Sequence, residues 1–176
     1  MFLWTFPFIH YIIGFSKKGN YMESIYNLSA CIPAELVDEI RKNGKEWDDR
    51  HVYRVAKRGE IDEIGFLNSY EEALYDNRSC EDDLTEIGTY STSCYLTPKR
   101  PRKFMKFLKK KFFESYPQPI IIHGNTICGL SQITKERILD YPDDEHIDWW
   151  IYQGSYDKLI VEFEVFEEFG SERSVK

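Results

Sequence analysis

Seven short runs rich in β-branched and aromatic residues, separated by Gly, Pro, Asn and Asp, constrain this chain most. They lie at about residues 24–29, 51–55, 90–96, 120–123, 126–130, 148–152 and 158–166. Runs of this length suit strands and are too short for buried helices. Helical patterns fall between them. Pro33 opens one that Gly44 stops, with Leu36, Val37 and Ile40 on one face. Ser69 with Glu72 reads as a capping box for a helix over 70–76, and a short helix is expected over 134–140. Residues 102–115 form an amphipathic pattern with Phe104, Leu108 and Phe112 inward and Phe107 beside them. Gly124-Asn125 reads as a tight turn, and residues 148–152 and 158–166 as the two arms of a hairpin. The expected fold is a single α+β domain, mostly antiparallel sheet with a few helices, over residues 22–170. Residues 171–176 read as a frayed tail.

The first fifteen residues are strongly apolar, but Pro7 and His10 interrupt a run already too short to span a bilayer. Lys17 and Lys18 follow the run, which is not the order of a secretory signal. Residues 1–21 are therefore read as an apolar arm, or as an over-extended start with Met22 the true one. Cys31, Cys80, Cys94 and Cys128 are too scattered for a disulfide framework, and Cys94, His123 and Cys128 match no metal-ligand spacing. Free thiols, no metal, no membrane span and a cytoplasmic location are expected.

Charge is unevenly distributed. The net value is −7, yet residues 99–111 hold eight of the 23 basic residues and no acidic one, leaving 15 basic against 30 acidic elsewhere. Broad nucleic-acid affinity is excluded by the overall balance. Contact with nucleic acid is expected only locally, through Lys99–Lys111; the alternative is a solvated face balanced by acidic neighbours.

Three motifs carry the chemistry. Arg54 lies in a β-prone run after Tyr53, Ser91-Thr92-Ser93 follows Tyr90 in another, and Glu162 and Glu164 sit two apart in a third. Spacing by two puts both carboxylates on one side of a strand. The order resembles the arginine, Ser-Thr-Ser, Glu-x-Glu pattern of mono-ADP-ribosyltransferases, across residues 51–166. The resemblance implies NAD as substrate, in an enzyme of the kind used as bacterial toxins or defence factors. It implies Arg54 on the dinucleotide phosphate and Ser91 supporting the site, with Thr92 and Ser93 fixing the strand. Glu164 would stabilise the oxocarbenium-like transition state, Glu162 would orient the acceptor, and Tyr53 or Tyr90 would stack on nicotinamide. The partner would then be a protein acceptor. Outside that motif, His51 and Asp148 are isolated acid/base candidates, and His146 with Asp143 and Asp144 reads as a charged loop. The competing reading is a non-catalytic, acidic and aromatic-rich module, immunity- or antitoxin-like, that binds a cationic protein.

Overall fold

The computed structural model describes residues 27–46 and 49–168. The apolar arm or alternative start at 1–21 and the tail at 171–176 lie outside the described residues. Of the strand expected at 24–29, the described part contributes the bridge Leu28–Tyr152.

The described chain is a single α+β domain: a seven-stranded antiparallel sheet with helices on both faces. In chain order the elements are α1 (Ala34–Asn43), β1 (Lys45–Glu46), β2 (His51–Ala56), α2 (Ser69–Tyr75), β3 (Thr92–Tyr95), α3 (Lys99–Lys111), β4 (Ile120–Asn125), β5 (Gly129–Ile133), α4 (Thr134–Arg137), β6 (His146–Ile151), α5 (Tyr156–Glu162) and β7 (Glu164–Glu168). Single 3-10 turns at Ile64–Phe66 and Ile87–Tyr90 precede α2 and β3. Strand order is β1-β5-β6-β3-β2-β4-β7.

Strand alternation sorts the side chains onto two faces, one with a single core and the other with two. On one face, Val52, Ala56, Cys94, Ile122, Ile147 and Trp149 pack under Phe66, Leu159 and Phe163, the last two brought by α5 and the residue after it. On the other face, α1 covers Leu130 and Trp150 with Leu36 and Ile40. There α3 covers Val55 and Ile121 with Met105 and Leu108. The two helices stand over different strands, α1 over β5 and β6 and α3 over β2 and β4. The face of β3 and the start of β6 lies between them.

The sheet has a weak seam at its centre. β2 pairs with β4 through six residues, and β6 pairs with β5 through five and with β3 through four. By contrast, β2 and β3 share one pair, Tyr53 with Tyr95, and then diverge. The turn Ile64–Phe66 packs where they part, and Thr92 Oγ1 donates to the Phe66 carbonyl at 2.6 Å.

Several expectations are corrected. Residues 158–166 are not one strand. Burial of Leu159 pulls Tyr156–Glu162 into α5, overriding the β preference of Ile160 and Val161. β7 then pairs with β4 at the far edge, so no hairpin forms with β6. Gly124 and Asn125 are no turn; they continue β4 opposite Val52 and His51. The cap of α2 is Asn68 with Glu71, one residue earlier than Ser69 with Glu72. On α3 the inward residues are Pro101, Met105 and Leu108, while Phe104, Phe107 and Phe112 are exposed.

Gly129 on β5 tests the packing. A Cβ there would lie 2.4 Å from the Trp150 carbonyl oxygen and 2.7 Å from Trp149 Nε1. Neither atom belongs to a flexible side-chain end. Gly129→Ala is expected to lower unfolding free energy by about 1–3 kcal/mol, read from urea denaturation.

Candidate functional site

Over β3 lies a furrow walled by residues of α2, α3, α4 and the segment 82–89. One end is a cleft of about 210 Å³ lined by Arg54, Val55, Lys57, Ser91, Ser93 and Phe104, among others. The other is a cleft of about 420 Å³ whose lining includes Glu86, Thr134, Arg137, Tyr141, His146 and Asp148. Ser69, Ser93 and Tyr95 line both, so the two clefts adjoin.

Register explains the floor. Ser93 pairs with Asp148 and Tyr95 with His146, and paired residues share a face. Asp148 is 2% exposed. Arg137 Nη2 donates to its Oδ2 at 3.0 Å, and Arg137 Nη1 donates to Glu86 Oε2 at 2.9 Å. Ser91 Oγ stands 2.8 Å from both Asp148 Oδ1 and the Gly88 carbonyl. Its single proton goes to the charged acceptor. A buried carboxylate is thus held by one guanidinium and one hydroxyl, as burial of a charge requires. His146, also buried, has Nδ1 2.5 Å from Thr134 Oγ1 and 3.9 Å from Asp148 Oδ1. Burial lowers its pKa, and nearby Asp148 and Asp143 oppose that shift. Burial also raises the pKa of Tyr141, and pushes that of Tyr95 up to about 12, so both walls stay neutral phenols.

The expected site residues gather only in part. Arg54, Ser91 and Ser93 reach one cleft. Arg54 is heavily engaged: Nε donates to Gly65 O, Nη1 to Ser93 O and Nη2 to Leu67 O, each at 2.7 Å. Thr92 faces the opposite core and bonds the turn at Phe66. Tyr90 is buried under α1, its hydroxyl on the Leu84 carbonyl. Tyr53 packs against His51, His123 and Phe166. Neither tyrosine lines the furrow; Tyr95 and Phe104 do. Glu162 and Glu164 do not share a strand. Glu162 ends α5 and accepts from Asn125 Nδ2 at 3.0 Å. Glu164 opens the edge strand β7, three strand spacings or roughly 14 Å from β3.

The sequence pattern places Asp148 in a strand as an isolated acid/base candidate but puts His146 in a charged loop, and it misses that the two stand together. Both begin β6, two apart and on one face. The signal was present in His146-Ile147-Asp148, the same two-residue spacing sought in the glutamates. Cys94 faces the core away from His123, and burial pushes its thiol up to about 12, so it is no nucleophile. Among the described residues no cluster of three or more His, Cys, Asp or Glu could hold a metal, and no helix is long and apolar enough to cross a membrane.

Comparison with family models, with curated proteins and with solved structures finds no match.

Two outcomes are expected. Arg54→Lys removes the planar fork that serves three carbonyls, and should cost about 2–3 kcal/mol in urea denaturation. For His146, the folded chain resists a proton that the unfolded chain accepts near 6.5. Its contribution therefore lowers stability as pH falls below 6.5 and vanishes above it. Between about pH 7.5 and about pH 5.5, His146→Asn should lose less stability than the parent.

Proposed function

We propose that the protein is an NAD-consuming ADP-ribosyltransferase or NAD glycohydrolase whose catalytic carboxylate is Asp148 rather than Glu164. The observation that carries this reading is the furrow itself: Arg54, Ser91 and Ser93 line it, and Ser91 is hydrogen-bonded to a buried Asp148.

In the reaction, the bond from the ribose C1′ to the nicotinamide nitrogen breaks. The electron pair leaves with nicotinamide, and positive charge develops at C1′. A fixed carboxylate beside that carbon, shielded from water, stabilises the cation strongly because it needs no reorganisation. Ser91 and Arg137 hold Asp148 in place for this role. His146, kept neutral by burial, accepts the proton that the attacking water or acceptor gives up. Arg54 uses three of its five N–H groups on carbonyls and has two left for a phosphate oxygen. Lys57 lines the same cleft, although it also pairs with Glu72 at 2.6 Å. Tyr95 and Phe104 supply flat walls for the rings.

Incubation with NAD should release nicotinamide, measured by chromatography. Asp148→Asn should slow release by about 100-fold or more, and Glu164→Gln should leave it unchanged. Loss in Glu164→Gln with retention in Asp148→Asn would return the role to Glu164. Absence of release from the parent chain, with or without a protein acceptor, would overturn the enzyme reading in favour of a non-catalytic binding module.

A further inference from the structure

The outer side of α3 is left unexplained by the fold and by the furrow chemistry. Its apolar stripe, Pro101, Met105 and Leu108, is already buried against the sheet. Four phenylalanines nevertheless remain exposed on it or just beyond it: Phe104 at 38%, Phe107 at 47%, Phe112 at 46% and Phe113 at 55%. Three of them form a string. Phe104 and Phe107 stack with centroids 6.3 Å apart, and Phe107 meets Phe112 edge-on at 5.7 Å. At 100° per residue, Lys103, Phe104, Phe107, Lys110 and Lys111 share about a third of the helix circumference. Arg100 and Arg102 are committed, to Asp143 and Glu167, each at 2.6 Å. Lys103, Lys106, Lys110 and Lys111 are exposed and make no ion pair among the described residues.

We propose that this flank of α3 binds single-stranded nucleic acid. Such a strand presents phosphates and flat bases in alternation, and lysines interleaved with exposed rings match both. A bilayer fits less well. An interfacial helix inserts a continuous apolar face, and on α3 that face is consumed by the core. Duplex fits less well too, because its bases are stacked away from the rings. The site is local, which reconciles it with a net charge of −7. It borders the furrow, since Phe104 also lines the Arg54 cleft. The proposal does not depend on NAD turnover.

The test uses the full chain and a fluorescein-labelled single-stranded oligonucleotide of about 16 nucleotides, followed by anisotropy. Binding is expected at low salt and should weaken steeply as salt rises; four neutralised phosphates give a log–log slope near about −3. Phe107→Ala should weaken binding about ten-fold, and Lys103→Glu with Lys110→Glu by more. All three positions are exposed, so folding is not at stake. Asp148→Asn should leave binding unchanged, which separates this site from the catalytic one. No binding at low salt would overturn the proposal. So would equal affinity for the duplex form, for polyglutamate or for vesicles rich in phosphatidylserine. Binding that ignores Phe107→Ala would overturn the role of the rings.

Discussion

The architecture depends on how one guanidinium meets three carbonyls. Where β2 and β3 part, backbone groups that would have bonded across the sheet lose their partners. Arg54 replaces them, donating to Ser93 on β3 and to Gly65 and Leu67 on the turn packed beneath. A planar fork serves this better than an ammonium, since its donors are fixed in direction and delocalised charge is less costly to dehydrate. The seam, the turn at Ile64–Phe66 and the approach to α2 are thus tied together by one side chain, with the Thr92–Phe66 bond beside it. Loss of activity on replacing Arg54 would consequently say little about phosphate contact, because the floor of the furrow would shift with it.

A second constraint lies one strand further on. Asp148 is buried in a sheet otherwise filled by Trp149, Trp150 and Ile147. An isolated carboxylate there would be costly, and Arg137 and Ser91 offset that cost. Hydrophobic residues of the same shape would serve stability at least as well. A charge buried where an apolar side chain would pack as well is a reason to look for chemistry at that place. The reason is sharper because Ser93, His146 and Tyr95 open on the same furrow.

Much of the fold was legible from the chain. The strands at 51–55 and 120–123, the facing of Val52 and Arg54 against Tyr53 and Val55, and the helix ending at Gly44 all follow from local pattern. Failures came where long-range packing decides. Ile160 and Val161 favour a strand, yet Leu159 finds its core partner only as part of a helix. Phe104, Leu108 and Phe112 look like the core stripe of α3; Leu108 is indeed inward, but Met105 and Pro101 take the place of the two phenylalanines. Of the furrow, Arg54 and the serines were visible. Asp148 was visible too, as an isolated candidate at a strand start, but not its meeting with Ser91, which spans 57 positions and arises from the β3–β6 register.

The single pair between β2 and β3 has a mechanical consequence. Strands β1, β5, β6 and β3 form one stiff ribbon, and β2, β4 and β7 another. Between them lies a joint pinned by Tyr53, Tyr95 and a side chain rather than by a ladder of backbone bonds. Rotation about that joint changes the spacing of the furrow walls while leaving both ribbons intact. The sparsest pairing inside the sheet therefore lies beside the cleft, between the strands that line it.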